Sequence, residues 1–187
     1  MTRDEALQLV NSWTTNKNLV RHMLAVEAAM LGLSRKLRNE DRSDEPWGMV
    51  GLLHDADYEK YPNEHPRKII EELKKRNEDV KIINAIKAHA YGFNGMNVMP
   101  KTPLEWAIYT SDELTGFIVA VTLIRPSKKI ADVTVENVLS KWDKKDFAKG
   151  VNRNQIELCE EKLGIKLPDF IQIVLDSMKN ISSELGL

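Results

Sequence analysis

The pair His54-Asp55 directly follows the apolar run 49–53, and this junction is the sequence feature that most constrains the fold. Burying a carboxylate costs several kcal/mol unless it is ion-paired or binds a metal. Packing alone therefore does not explain a hydrophobic segment that ends in an imidazole and a carboxylate. The chain has to fold so that both side chains find partners, and a metal ion is a partner that accepts both.

Three further ionisable side chains, His22, His89 and Asp112, fall on apolar helical faces. Each takes a place where the helical spacing calls for a hydrophobic residue. Asp112, for example, follows Leu104 and Ile108 at steps of four residues. A single histidine on such a face is also a common core residue, so each position taken alone leaves that interpretation open.

The complete set of donors is more informative than its members. The chain has only four histidines, and with two aspartates they provide six nitrogen and oxygen donors: His22, His54, Asp55, His65, His89 and Asp112. Imidazole and carboxylate together suit Zn, Fe, Mn, Ni or Co, and a core that held these groups without a cation would be electrostatically unfavourable. We therefore predict one interior site for one or two divalent metals, with Mg as an alternative.

The order of these residues resembles the HD superfamily of metal-dependent phosphohydrolases. The resemblance covers about residues 15–125 and depends on five segments: NLVRHMLAVE with His22, GLLHDADYE with His54-Asp55, EHPRK with His65, IKAHAYG with His89, and YTSDELTGF with Asp112. Residues 91–93 read Tyr-Gly-Phe and not Gly-Tyr-Pro, the motif of the branch that degrades cyclic di-GMP. Degradation of cyclic di-GMP is therefore not expected.

The resemblance implies a division of labour among the donors. His22, His54, Asp55 and Asp112 are expected to hold a first metal, while His65 and His89 extend the site to a second metal or contact a substrate phosphate. Asp55 is the natural bridge, because a carboxylate has two oxygens. The sequence also leaves open a role for Asp57 as a catalytic base or as a hydrogen-bonding residue of the pocket.

Three functions are compatible with this ligand set. The first is hydrolysis of a small phosphate ester or nucleotide, as a phosphomonoesterase or phosphodiesterase, by a metal-activated water. The second is a di-iron oxygenase, since some proteins that look like HD hydrolases use the same four histidines and two aspartates. The third is a metal-stabilised sensor or scaffold without enzymatic activity, which would have closed metal sites.

Phosphate recognition would need cations outside the metal cluster. Arg125, Lys128 and Lys129 follow the helix of Asp112 and are the candidate substrate-binding residues. Arg offers two parallel donors to phosphate oxygens, and Lys offers a point charge. A solvated run of charges is the commoner explanation of such residues, and both interpretations stay open.

Composition sets the class of protein. The chain has 187 residues, of which 42% are hydrophobic and 29% charged, enough for one domain with a sizeable core. The net charge of −1 gives no overall signal for nucleic-acid binding, and the oligomeric state is not indicated. With no run of about 18 apolar residues and no signal-peptide pattern, we expect no membrane partner and a cytoplasmic location. The single cysteine, Cys159, is expected to be a buried spectator.

Periodicity and capping signals predict an all-α fold, organised as a single HD-like helical bundle over residues 1–187. The metal-site core is expected at about 15–125 and a C-terminal helical extension at about 127–187. Helices are predicted at 3–13, 17–38, from Ser43 or Asp44 into His54, then 66–76, 79–90, 103–124, 133–142, 144–147, 152–163 and 167–183.

The connections between these helices carry two further predictions. His65 precedes Pro66, so we expect His65 to cap the following helix, with Pro66 in its first position. Residues 39–44 are expected to form a loop. The irregular stretch 91–103, with two glycines and two prolines, is expected to form either a lid or rim of the pocket or a plain connector.

Overall fold

The computed structural model of the protein describes residues 1–37 and 43–187. Within these residues the fold is all-helical, without strands, which confirms the predicted fold class. The α-helices are α1 (Arg3–Trp13), α2 (Lys17–Leu37), α3 (Glu45–Leu53), α4 (Arg67–Lys75), α5 (Val80–His89), α6 (Pro103–Leu123), α7 (Val135–Leu139), α8 (Arg153–Leu163), α9 (Leu167–Lys179) and α10 (Ser182–Leu185), with a 3₁₀ turn η1 (Ile130–Asp132) before α7.

Local capping chemistry sets where the helices begin. At α6 the side chain of Thr102 accepts a hydrogen bond from the backbone of Glu105, and the Glu105 side chain bonds back to the Thr102 backbone. Pro103 then occupies the first turn, where its missing N–H costs nothing. At α8 the side chain of Asn152 caps the first turn, and Gly164 ends the helix at a φ of 68°. These signals explain why both starts were predictable.

The two 21-residue helices, α2 and α6, form the centre of the fold. α2 packs against α3, α6 and α9, while α6 also packs against α5 and α8. Gly51 allows α3 to lie directly on α2, because a Cβ atom at this position would be only 2.6 Å from the Cα of Glu27. The helices that carry His22 and His54 are therefore held at backbone-contact distance.

The C-terminal helices pack on this centre, and Arg153 organises their approach. Its guanidinium donates hydrogen bonds to the backbone carbonyls of Trp142 and Phe147 and stacks 4.7 Å from the ring centroid of Phe117. It also donates to the carbonyl of Lys144, and residues 144–147 form turns, so the helix predicted there is wrong. The carbonyl of Lys144 accepts both from Arg153 and from the backbone N–H of Phe147, three residues further on, which is the bond of a turn. The predicted helix 133–142 is likewise shorter, since α7 covers only Val135–Leu139.

The predicted start of α4 is also wrong. The residue that caps α4 is Pro66, no side chain makes a capping bond, and the helix begins at Arg67. His65 does not cap it because its ring turns inward and bonds to Asp57.

The remaining predictions concern the loop at 39–44, Cys159, membrane spans and the domain organisation. Most of the loop predicted at 39–44, and the end of the second helix at Arg38, lie outside the described residues. Cys159 is buried, and burial raises the pKa of its thiol to about 12, in agreement with a spectator role. Among the helices of residues 1–37 and 43–187, none is long and apolar enough to span a membrane. The cytoplasmic location, the single domain and its division at about residue 127 stay predictions.

Candidate metal centre

The six predicted donors come from five separate parts of the chain and meet in the interior. His22 lies in α2, His54 is the residue that ends α3, and Asp55 follows it in the next turn. His65 precedes α4, His89 is the last residue of α5, and Asp112 lies in the middle of α6. They form two groups of three ligand atoms, each within 4.8 Å of one another: His22, His54 and Asp112, and Asp55, His65 and His89.

The first triad is built around the carboxylate of Asp112. Its Oδ1 lies 2.9 Å from Nε2 of His22 and 3.5 Å from Nε2 of His54. Two ligands bonded to one metal at about 2.1 Å are about 3.0–3.4 Å apart at octahedral or tetrahedral angles. The triad therefore has the spacing of a coordination shell without any movement of the backbone.

The second triad has similar spacing. Nε2 of His65 lies 3.3 Å from Nε2 of His89 and 3.4 Å from Oδ1 of Asp55, and His89 Nε2 lies 3.7 Å from the same carboxylate oxygen. All three ligand atoms converge on one point beside the first triad.

Asp55 faces both triads at once. Its Oδ1 points to His65 and His89, while Oδ2 lies 3.8 Å from Nε2 of His22 and 3.6 Å from Nε2 of His54. One oxygen therefore serves each group, which is the arrangement of a carboxylate that bridges two metal ions.

Hydrogen bonds on the far side of the rings fix the orientation of the histidines. Nδ1 of His54 bonds to the carbonyl of Gly51 at 2.8 Å, and Nδ1 of His89 bonds to the carbonyl of Ile86. A carbonyl oxygen only accepts, so both Nδ1 atoms carry the hydrogen, and Nε2 of the neutral ring presents its lone pair to the site. Metal-binding histidines in proteins usually have this kind of partner.

His65 and His22 are oriented in the same way by side chains. Nδ1 of His65 lies 2.7 Å from Oδ1 of Asp57. Nδ1 of His22 lies 3.4 Å from the hydroxyl oxygen of Thr115, which itself donates its hydrogen to the carbonyl of Asp112. The hydroxyl of Thr115 is therefore left to accept from His22, and all four rings present Nε2 to the cluster.

Two observations show that these residues fit a cation. Nε2 of His54 is buried and has no hydrogen-bond partner, although buried polar atoms are almost always paired. The Nε2 atoms of His65 and His89 lie 3.3 Å apart, and in the neutral rings both carry lone pairs. A positive ion between such atoms removes the repulsion and supplies the missing partner, so the site suits divalent metals that bind imidazole and carboxylate.

The charges of the cluster shift the pKa values of its members. Burial opposes protonation of His54, but the nearby charges of Asp55 and Asp112 raise its pKa to about 9. Burial works against the charged form of both aspartates as well, yet the pKa values of Asp55 and Asp112 fall well below their usual range because histidines surround them. Burial lowers the pKa of His89. In the absence of metal, a proton on His54 thus takes the place of a cation.

A cavity of about 520 Å³ opens beside the cluster. Four donors, from both triads, line its inner end. Seven other residues of the lining, four aromatic and three polar, are here called the outer wall. They are Tyr58, Tyr91, Phe93, Tyr109, Glu113, Asn152 and Gln155. Among the described residues, no Lys or Arg lines this cavity.

A larger cavity of about 750 Å³ lies elsewhere, between the end of α2 and the first turns of α3 and α6. Trp47, Lys81 and Leu104 are among its lining residues, and none of the six donors reaches it. The chemistry of the donor set therefore directs attention to the smaller cavity.

The other predicted site residues lie away from the cavity. Asp57 is fully buried; its second oxygen accepts the backbone N–H of Ile69, and it does not line the cavity. It lies behind His65 and does not line the pocket, and the catalytic role expected for it stays a prediction.

The structure does not bring Arg125, Lys128 and Lys129 to the cavity either. They follow the end of α6, and the 13 residues from Asp112 to Arg125 correspond to about 20 Å at 1.5 Å per helical residue. Arg125 donates instead to the side chain of Asn137. Contact between these cations and a substrate at the cluster is therefore not expected.

Four residues of the outer wall were missed by sequence reasoning. Tyr109 and Glu113 are one helical turn apart on α6 and flank Asp112, so helical spacing alone would have found them. Asn152, which caps α8, and Gln155 in its first turn come about 40 positions further along the chain, and no local signal connects them to the cluster. Tyr91 and Phe93 confirm that part of the stretch 91–103 forms a rim of the pocket.

Comparison with known protein families identifies the region that holds the cluster. Residues 19–116 match the HD domain, and all six donors lie within these residues, whereas α8 lies outside them. No curated protein and no solved structure matches the chain. The matched residues number 98 of 187, just over half of the chain. The protein therefore belongs to the HD domain family, whose members form a superfamily of metal-dependent hydrolases and bind divalent metals.

Proposed function

We propose that the protein hydrolyses small phosphate esters with two divalent metals held by the two triads. The observation that carries the proposal is the position of Asp55, whose two oxygens face different triads at the inner end of an open cavity. A phosphate group that enters this cavity meets both triads together, which favours phosphoryl chemistry over a purely structural role.

The proposed ligands are His22, His54 and Asp112 for one metal and His65 and His89 for the other, with Asp55 shared between them. When bound, such metals supply hydroxide from water at neutral pH and neutralise the charge that develops on the phosphoryl oxygens. The metals can be Mn, Fe, Ni, Co, Zn or Mg, since imidazole and carboxylate donors suit this range.

The other residues of the chain position the ligands and the substrate. The carbonyls of Gly51 and Ile86 and the side chains of Asp57 and Thr115 hold the four imidazole rings in the orientation that presents Nε2. In this proposal Asp57 is a positioning residue that acts through His65, and Asp55 is the catalytic carboxylate. The outer wall encloses the leaving group and limits its size.

The same six ligands also serve the second candidate, a di-iron oxygenase. The full set of four histidines and two aspartates, with a carboxylate between the triads, is the observation that keeps this candidate in view. A closed scaffold is less well supported, because each triad supplies few protein ligands and both border the open cavity.

The deciding experiment measures p-nitrophenol release and oxygen uptake in parallel. Metal-free protein is reloaded without oxygen with Mn, Co, Zn, Mg or Fe, and then given p-nitrophenyl phosphate, a monoester, or bis-p-nitrophenyl phosphate, a diester. We expect phosphate-ester turnover that His54→Ala and Asp55→Ala remove while circular dichroism stays helical. Lys129→Ala is the matched control and should retain the activity.

Two results would contradict the proposal. One is turnover that survives in His54→Ala or Asp55→Ala. The other is oxygen consumption by the iron-loaded protein on addition of substrate, with no phosphate ester turned over under any metal, which would support the oxygenase.

A further inference from the structure

The outer wall presents aromatic surface on two sides of the cavity. On the side of His65, the rings of Tyr58 and Phe93 have centroids 6.4 Å apart, and both stand nearly edge-on to the His65 ring. Tyr91, in the turn after α5, and Tyr109 of α6 form a second pair, with ring centroids 6.2 Å apart. Tyr58 and Phe93 are about two-fifths exposed, so their faces are available to a ligand.

The polar part of the outer wall carries one charged side chain. Glu113 lies one helical turn beyond Tyr109, and its Oε2 accepts the backbone N–H of Asn152. Gln155 is anchored by a hydrogen bond from its amide to the carbonyl of Tyr109. No Lys or Arg of the described residues joins them. Apart from the metal ligands, Glu113 is therefore the one charged side chain among the described residues that line the cavity, and its charge is negative.

This distribution of charge restricts the substrate. One phosphate group can be accommodated by the metals, but a second would lie against Glu113 and the aromatic rings with no cation to pair with it. An uncompensated charge in a partly buried site is costly. The leaving group is consequently neutral or positively charged, which argues against nucleoside di- and triphosphates.

The ring geometry separates a neutral planar group from a cation. A base held between two aromatic side chains needs nearly parallel rings, whereas the planes of Tyr58 and Phe93 are 33° apart and those of Tyr91 and Tyr109 are 58° apart. Several tilted aromatic faces with one carboxylate suit an ammonium group, which binds ring faces without requiring them to be parallel.

We propose that the outer wall binds an organic ammonium group, with Glu113 as its counter-charge and Tyr58, Phe93 and Tyr109 as its aromatic contacts. Given the proposed phosphate-ester hydrolysis, on which this inference rests, the substrate is then a phosphate monoester of an amino alcohol. In the reaction a water oxygen bonds to phosphorus, the ester P–O bond breaks and the leaving alkoxide takes a proton. The products are inorganic phosphate and the amino alcohol.

Two of the three polar residues of the outer wall lie beyond residues 19–116, which match the HD domain. Gln155 belongs to α8, and Asn152 caps the start of that helix. Arg153 holds the start of α8 through its bonds to the carbonyls of Trp142 and Phe147. Residues from both sides of this boundary therefore line the outer wall, while the four residues assigned to the ammonium group lie within the matched region.

The test compares two esters of the same shape. Phosphocholine carries a quaternary ammonium, and 3,3-dimethylbutyl phosphate replaces its nitrogen by carbon and is otherwise matched. Binding to the metal-loaded protein is measured by calorimetry, and hydrolysis by phosphate release. We expect phosphocholine to bind about tenfold more tightly and to show a lower KM, as a partly desolvated cation–aromatic contact with a counter-charge would give.

Substitutions in the outer wall show which residues produce the preference for phosphocholine. Glu113→Gln should bring the affinity for phosphocholine close to that of the carbon analogue, because the counter-charge of the ammonium group is removed. Phe93→Leu should weaken phosphocholine binding and leave the carbon analogue almost unchanged. Glu161→Gln, an exposed carboxylate on the same helix as Gln155, is the matched control and should leave the preference intact.

The outcomes separate this inference from the proposed function. Preferential binding of phosphocholine without any hydrolysis would overturn the hydrolase and support the ammonium site. Hydrolysis with equal or better use of the carbon analogue, or of adenosine monophosphate, would overturn the ammonium site and support the hydrolase. Preferential turnover of dihexanoylphosphatidylcholine, a diester with the same ammonium, would overturn the assignment of a free monoester.

Discussion

Oδ1 of Asp57 lies 2.7 Å from Nδ1 of His65, on the side of the ring that faces away from the metal cluster. The other oxygen of Asp57 accepts the backbone N–H of Ile69 in the first turns of α4. A single buried carboxylate therefore joins the position of a helix to the orientation of a metal ligand. Removing such a partner typically lowers metal affinity 10–100-fold.

This relationship predicts the effect of Asp57→Ala. The affinity for the second metal should fall by about 10–100-fold, because His65 loses the hydrogen bond that fixes its ring. Asp57→Asn should have a smaller effect, since its amide oxygen still accepts from Nδ1. Calorimetric titration of metal-free protein measures both, with the exposed Asp146→Ala as control. If the affinity for the second metal is unchanged in Asp57→Ala, Asp57 does not position His65 for metal binding.

Metal affinity should rise with pH. The pKa of His54 is about 9 in the metal-free cluster, so at pH 7 its proton occupies the position that a metal needs. That proton has to leave on binding, and the affinity should increase by about tenfold per pH unit from pH 7 until the pH approaches 9. Competition with a chelator of known pH dependence measures the slope. An affinity that is flat between pH 7 and 9 would contradict the assignment of His54.

Alanine substitutions at Gly51, where α3 contacts α2, and at Gly116, in an open position of α6, should have opposite effects on stability. Gly51→Ala should destabilise the fold by about 1–3 kcal/mol, because its Cβ would lie 2.6 Å from the Cα of Glu27 and the helices have to separate. Gly116→Ala, inside α6 with no atom near the new Cβ, should stabilise the fold by up to about 1 kcal/mol. Urea unfolding followed by circular dichroism distinguishes them, and a neutral Gly51→Ala would contradict the packing.

Most of the helical framework could be predicted because its signals are local. The capping pairs that begin α1 and α6, and the apolar spacing of α2, are readable from neighbouring residues. The metal donors were also accessible, since imidazoles and carboxylates on apolar faces have no simple packing explanation. Their division into two triads with Asp55 between them could not be predicted, because it depends on how five separate segments of the chain pack together.

The errors arose where distant residues decide local structure. The helix expected at 144–147 is absent. Arg153 binds the carbonyls of Lys144 and Phe147, and the backbone N–H of Phe147 bonds to the Lys144 carbonyl as in a turn. His65 failed to cap α4 because Asp57 holds its ring. Likewise, Arg125 was assigned to phosphate binding from its place in the sequence, whereas the length of α6 carries it away from the cluster.

The most direct test of the central claim is the number of metals bound per chain. Protein equilibrated with excess Zn²⁺ or Mn²⁺ under argon and freed of unbound metal is analysed by elemental analysis. We predict two metals per chain in the natural sequence and one in each of His22→Ala and His65→Ala, because each substitution removes a ligand of one triad only. A single metal in the natural sequence, or two retained in both variants, would contradict a site built from two triads that share Asp55.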